Sequence, residues 1–499
     1  MSAPPLHRST ASTLWTANRK ENDILKYTGH PLVDVGVATI TAFAEQVDPA
    51  QVTTDDLARL TDELQRLYCN EPMKSLLSVV FPNSGFNQPA FDKQPAKRAA
   101  YADLVLRAWQ HAPAASDDRC VFFGTPAAMR AYREIVPLIG AIDRFNFYAE
   151  GQSGLPISGA ALLAIQAMPL GALKCQGRLL LLHASDPQLT YRFAAQALER
   201  NRRFLSLAAQ EGTSKYSDAK FPRTQIIACF LAADQQRRDE AVDSVTAYHL
   251  TNYGPNPAVD IYHLPLQVAG FLREAHDATY RAAWLRLVRR AWEGGDGHSV
   301  EPPSRDVFDL PAQRNVLYED LFDLPRDAQR FLRTYLLRTP RVERTTKDDQ
   351  RRTYRLIDEL DLVSWPLTRL FLERILNVTP DRIEAIRTMA DQLATYIQRE
   401  NDRRLFRLFL HGGNRYNDYH ELRMRLVRSD YQAAQRDQPL FTLDQFIAVF
   451  EDTDDRSWWL LARDLLLIRM IEQLHAQDWI TANRELVVDA NADTELAEA

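Results

Sequence analysis

Apolar residues recur at helical spacing over much of the chain. Val33, Val37, Ile40 and Phe43 share one face behind Pro31, which suits a first helical position. Thr53 with Asp56 reads as an N-cap, and Leu57, Leu60, Leu64 and Leu67 follow at spacings of three and four, which predicts an amphipathic helix. The pattern breaks over 81–98, where three prolines, a glycine and several amides make a loop that carries Lys93, Lys97 and Arg98. Residues 119–185 read as short strands and turns mixed with helix, with Leu179 to His183 a buried strand. A second polar loop spans 211–224 ahead of the apolar run Ile226 to Leu231, and a third, 251–265, holds Tyr253, Gly254, Pro255, Pro257 and Pro265.

From about residue 350 the pattern is almost purely helical. Thr379 and Pro380 open a stripe of Ile383, Ile386, Met389, Leu393 and Ile397. Thr442 with Gln445 forms a capping box before Phe446, Val449 and Phe450, and Ser457 precedes Trp458, Leu461, Leu465, Ile468 and Ile471. The expected fold is α+β and mostly helical, a mixed N-terminal domain followed by a C-terminal helical bundle. Residues 1–25 are expected to be a flexible N-terminus, 26–293 the mixed domain, 294–349 a linker with connecting helices, 350–485 the bundle and 486–499 a flexible tail. The Gly- and Pro-rich stretch 293–303, after the basic helix 281–292, is the best boundary.

Length and composition fit this picture. A chain of 499 residues with 45% hydrophobic content can bury a real core in about two or three domains. The net charge of -6 argues against a chain that binds nucleic acid over its whole surface, while leaving room for local basic grooves. Cys69, Cys120, Cys175 and Cys229 are widely spaced, as expected of reduced thiols in a cytoplasm. No signal-peptide pattern opens the chain and no uncharged apolar run approaches a bilayer span, so a cytoplasmic protein without membrane contact is expected.

The catalytic signatures sought are not met. Gly294-Gly295-Asp296-Gly297-His298 has no phosphate-loop lysine and reads as a hinge. There is no HExxH and no HxH, and the single His-Asp step, His276-Asp277, has no second pair beside it in the sequence. The acid pairs Asp55/Asp56, Asp348/Asp349 and Asp454/Asp455 fall at helix starts or in charged loops, and Gly154-Leu-Pro-Ile-Ser158-Gly misses GxSxG and reads as a packing turn. His30, His183, His249 and His263 stand singly near apolar stretches and read as hydrogen-bonded structural residues. No catalytic, metal or cofactor site is expected. What stands out is amides, lysines and arginines interleaved with aromatics in the loops, a combination suited to base edges, phosphates and stacking. Arginines also recur at 281–290 and, in the bundle, at Arg382, Arg387, Arg399, Arg403, Arg404, Arg407, Arg415, Arg423 and Arg425, where a salt-bridged helix face is the plainer reading.

Three stretches resemble the large-subunit family of type I-B CRISPR Cascade complexes, the CXXC-CXXC group. They are Tyr27-Thr-Gly-His-Pro-Leu-Val-Asp-Val-Gly36; Cys120-Val-Phe-Phe-Gly124 with Phe145-Asn-Phe-Tyr148, Gly154 to Gly171 and Lys174-Cys-Gln-Gly-Arg178; and Asp464-Leu-Leu-Leu-Ile-Arg469 after Pro439-Leu-Phe441. The resemblance implies two CxxC pairs that hold zinc; here Phe123 stands where the second cysteine of the first pair would fall, and Ser158 and Ala161 fill the region of the later pair. The resemblance implies a non-catalytic subunit that inspects the protospacer-adjacent motif in target double-stranded DNA and aids unwinding. It works beside a CRISPR guide RNA and the Cascade backbone and small subunits, and the complex serves either a helicase-nuclease or transposition proteins.

Residue chemistry then suggests where such contacts would fall. Asn83, Ser84, Asn87, Gln88 and Ser214 are candidates for motif reading, Phe86 and Tyr216 for a wedge. Lys93, Lys97, Lys215, Lys220, Arg223, Arg403, Arg404 and Arg407 are candidates for phosphate binding. The competing readings are that both loops merely cap the fold, that the chain is a helical scaffold without DNA contact, and that it is a metal-dependent nuclease.

Overall fold

A computed structural model describes residues 25–111, 117–139, 153–236, 241–253, 257–293, 311–338, 356, 359–412, 416–436, 439–451 and 457–487. The chain is mostly helical with small sheets, the α+β class expected. It forms two compact units, Met1–Arg238 with Val245–His263, and Asp239–Ser244 with Leu264–Ala499.

The first unit is built around α1 (Pro31–Phe43), whose residues Leu32 to Thr41 are all buried. A helix enclosed on every side must satisfy its polar side chains internally. Thr39 and Thr41 donate to the carbonyls of Val35 and Val37, and the Asp34 carboxylate accepts from the Thr28 and Gly29 amides at 2.7 and 2.8 Å and meets His183 Nε2 at 3.1 Å. The capping box of α2 (Thr54–Tyr68) forms as expected, Thr53 against Asp56. The helices α3 (Met73–Val80), α4 (Pro89–Asp92) and α5 (Pro95–Leu106) follow.

Strand β1 (Met129–Ala131) pairs antiparallel with β2 (Leu155–Ile157). Ser158 then caps α6 (Gly159–Ala167) by accepting from the Ala161 amide, so the Gly154–Gly159 stretch is a strand end and a helix start. A four-stranded sheet follows in the order β3 (Leu173–Cys175), β4 (Arg178–Ala184), β5 (Val245–Thr251), β6 (Ala258–Leu264), with α7 (Pro187–Glu211) and α8 (Pro222–Asp234) between β4 and β5 in sequence. The expected buried strand at 179–183 is the body of β4, paired Leu181 to Tyr248 and Leu179 to Leu250.

The loop expected over 251–265 contains β6 instead. Val259 and Ile261 alternate there with Asp260 and Tyr262, a period-two pattern that the neighbouring prolines obscured.

The stretches that carry the family resemblance in this unit pack on one another. A Cβ on Gly36 of α1 would lie 1.9 Å from the Ala164 carbonyl oxygen of α6, and one on Gly171 would lie 1.9 Å from Thr39 Oγ1. Lys26 Nζ donates to the Phe123 carbonyl at 2.7 Å, and the His30 and Phe122 rings lie 4.9 Å apart.

The second unit holds α9 (Leu266–Ala275), α10 (Ala278–Arg290), the short strands β7 (Trp292–Glu293) and β8 (Arg314–Asn315), α11 (Val316–Leu321), α12 (Ala328–Phe331), α13 (Trp365–Arg374), α14 (Pro380–Glu400), α15 (Arg403–His411), α16 (Tyr416–Ala434), α17 (Leu443–Phe450), α18 (Trp458–Ala476) and α19 (Trp479–Ala482). Besides Asp239–Ser244 it runs from Leu264, ahead of the stretch 293–303 that the sequence suggested. The reason is aromatic packing: Phe271 of α9 lies 5.4 Å from Trp284 of α10 and 5.9 Å from Phe371 of α13, which in turn stacks on Phe331 at 5.4 Å. Arg338 is fully buried against Glu359, which also takes Arg290. The expected Thr442 cap forms on the Gln445 amide, and the α14 stripe from Ile383 to Ile397 is buried. The glycine-rich 294–298 stretch, the acid pairs at 348–349 and 454–455, Phe145 to Tyr148 and Arg415 lie outside the described residues, as do 1–24 and 488–499.

Candidate nucleic-acid interface

The 81–98 segment, expected as a loop, is largely helical: a short turn at Gly85–Asn87 leaves the end of α3 and folds back on it, and α4 and the start of α5 follow. Phe86 is 1% exposed, its ring edge-on to Tyr68 at 5.6 Å and to Tyr101 at 5.2 Å. Ser84 is buried beneath it, accepting from the Phe86 amide and lying 3.2 Å from the Tyr101 hydroxyl. A side chain so enclosed fills the core and offers no face to a base, so the wedge role for Phe86 and the base-reading role for Ser84 are corrected to packing and turn-holding. Asn87 is half-buried and spends its amide N–H on the Phe81 carbonyl at 2.8 Å, whereas Gln88 is exposed and donates to the Asn83 carbonyl at 3.2 Å. Asn83 and Lys93 are exposed. Lys97 is also exposed, its ammonium 4.9 Å from the Phe91 ring centre. Asp92 takes Lys74 at 2.8 Å and Arg98 at 3.2 Å, and the Lys74 hydrogen bond leads in holding its carboxyl below the usual carboxylate range.

The 213–224 loop starts where α7 ends at Gly212, in the left-handed conformation that glycine tolerates. Tyr216 is buried among core residues with its ring 5.0 Å from Phe204, and burial pushes its phenol well above the ordinary value. Its wedge role is corrected on the same ground as that of Phe86. Ser214, Lys215 and Lys220 are exposed, and Arg223 lies over Tyr262 of β6 at 5.9 Å.

The loop is pinned to β3 by two backbone hydrogen bonds, Ala219 N to Lys174 O and Gln176 N to Ala219 O, both 2.9 Å. Beside them the Asp218 carboxylate accepts from the Gly177 amide at 3.0 and 3.1 Å. Gln176 and Gly177 both have positive φ, 48° and 73°, as a two-residue turn between β3 and β4 favours. Arg178 reaches Asp260 at 2.7 Å, and the buried His249 meets the Cys175 carbonyl at 2.8 Å.

Both loops rest on α3. The Tyr216 amide donates to Ser75 Oγ of α3 at 3.4 Å, and Lys74 of α3 pairs with Asp92 of the other segment at 2.8 Å. Sequence reasoning missed Lys74, Arg178, Asp260 and Tyr262 because each is brought in by tertiary pairing; the alternation in β6 was the one local sign of the last two.

In the second unit, Arg403 pairs with Glu485 at 2.9 Å and Arg404 approaches Glu421 at 3.9 Å, while Arg407 is exposed on α15. Arg387 is held by Glu384 and Asp391, and Arg425 by Asp402. The positions that the family resemblance assigns to zinc cysteines are structural: Phe123 is buried with its amide 3.5 Å from Cys120 Sγ, Ala161 is buried, and Ser158 is a cap. Among the described residues no group of three or more His, Cys, Asp or Glu side chains could hold a metal ion, and no helix is long and apolar enough to cross a membrane.

No protein-family model matches this chain, and no curated protein matches it.

Proposed function

We propose that the chain is the non-catalytic large subunit of a cytoplasmic CRISPR RNA-guided surveillance complex, and that its first unit grips duplex DNA at a short protospacer-adjacent motif. One observation carries the reading: two polar, lysine-bearing loops, far apart in sequence, flank the same helix, α3. Lys93, Lys97, Lys215, Lys220 and Arg223 are suited to phosphates, and the exposed Asn83, Gln88 and Ser214, with the half-buried Asn87, to base edges. The guide RNA reads the long target by pairing, and the protein supplies a few contacts that tip a near-balanced strand exchange. With Phe86 and Tyr216 in the core, unwinding falls to grip and backbone contacts. The backbone and small subunits are its partners in assembly, and a helicase-nuclease or transposition proteins act after it.

A second reading is favoured for the other unit. Arg387, Arg403 and Arg425 are already engaged by acids of that unit, as suits a scaffold that docks on protein.

The test is to isolate the tagged chain from its host with whatever it carries. Repeat-derived RNA should accompany it. In that assembly Lys215→Ala with Lys220→Ala should weaken duplex capture for every sequence and lower the salt slope by about two. Gln88→Ala should relax motif choice by about 1–3 kcal/mol. A chain free of RNA, or an assembly lacking this subunit that finds its motif equally well, overturns the proposal, as does metal-dependent cutting by the isolated chain.

A further inference from the structure

We infer that Asp218 and Asp260 are built-in anions of a phosphate cradle formed by the 213–223 loop and the β3–β4 hairpin, and that they hold down its grip on duplex DNA of any sequence. This rests on the DNA-gripping reading above.

The charges concerned are gathered around one buried ring. Arg178, Asp260 and Asp218 all act electrostatically on His249, which is 3% exposed; Tyr262 lies 6.3 Å from that ring with Arg223 above it. The exposed Lys220 follows Asp218 by two positions on the same pinned loop.

Both carboxylates stand where a phosphate oxygen would be welcome. Asp218 takes the Gly177 amide, an N–H presented by a turn with two successive positive φ values, the kind of backbone donor that binds anions. Asp260 takes the Arg178 guanidinium while remaining 56% exposed. An exposed pair of that kind contributes little to folding. Its larger effect is on the field. The two aspartates offset part of the positive charge that Arg178, Arg223 and Lys220 bring to this end of the sheet. Phosphate contacts act on every sequence alike. Weakening them leaves more of the residence time to be decided by the motif and by guide pairing.

The experiment measures binding of the full chain to a mixed-sequence 30-base-pair duplex by fluorescence anisotropy across a salt series. A carboxylate about 6 Å from a phosphate in water opposes binding by roughly threefold. Asp218→Asn and Asp260→Asn are each expected to tighten binding about threefold at low salt, and together about tenfold, with a steeper salt dependence. Asp260→Ser is made alongside, and thermal melting checks that each variant is folded. Lys215→Ala with Lys220→Ala is the opposing control and should weaken binding. If the lysine pair weakens binding while the aspartate variants leave affinity and slope unchanged or lower them, the inference is overturned and the DNA-gripping reading stands. If neither set alters binding, both fall.

Discussion

Gly36→Ala puts the packing of the first unit to a test in which two effects have opposite sign. Alanine is the better helix former by about 1 kcal/mol, so propensity alone makes the variant more stable. The structure says otherwise. The added Cβ would lie 1.9 Å from the Ala164 carbonyl oxygen and 2.4 Å from its carbon, against an ordinary contact of 3.4 Å, so α1 and α6 must part by roughly 1.5 Å. Neither can yield easily, since α1 is buried along its length and Thr39, on the same helix, is itself tight against Gly171. Overpacking a core costs about 1–3 kcal/mol and occasionally more, and contact with backbone puts this site at or above the upper end. A net loss of about 2 kcal/mol corresponds to a fall of about 4–8 °C in the melting temperature of this unit. Gly270→Ala in α9 is the control: nothing lies within 4 Å of its Cβ, so it should stabilise the second unit by about 1 kcal/mol. Calorimetry on both variants decides. A Gly36→Ala protein that melts higher than the parent would refute the close approach of α1 to α6.

Two further outcomes are expected. Burial lowers the pKa of both His30 and His249 from the ordinary 6.5, so the unfolded chain binds more protons below about that pH. The stability these rings contribute is complete above pH 6.5 and is lost as pH falls toward their folded values; melting from pH 7.5 to 5.5 should show the decline, and His249→Gln should flatten it. In the second unit, Glu359→Gln removes the carboxylate that neutralises the buried Arg338 and should destabilise by about 3–5 kcal/mol, read from denaturant midpoints; a loss under about 1 kcal/mol would mean the pair is hydrated.

Local chemistry was legible where it acts alone. Thr53 with Asp56 and Thr442 with Gln445 cap the helices expected of them, Pro31 opens α1, and the Leu179 to His183 run is a strand. Of the four lone histidines expected to be hydrogen-bonded, His183, His249 and His263 each meet a partner, whereas His30 is held by packing on Phe122 with its buried Nδ1 unpartnered. Legibility ended where partners come from afar. Phe86 and Tyr216 sit in polar loops and read as exposed, yet Tyr68, Tyr101 and Phe204 enclose them. No spacing rule links residues so distant in sequence. The three glycines at 294–297 mark a hinge in the sequence, whereas Phe271, Trp284 and Phe371 decide which helices pack together.

The hydrogen bonds that tie Ala219 to Lys174 and Gln176 have a consequence for dynamics. A loop sewn to a strand moves with it, so the Ala219 and Gln176 amides should exchange with deuterium far more slowly than the exposed sequence around them suggests. A ligand meeting Lys215 and Lys220 would then have only side-chain rotamers to still, the backbone having been ordered when the domain folded.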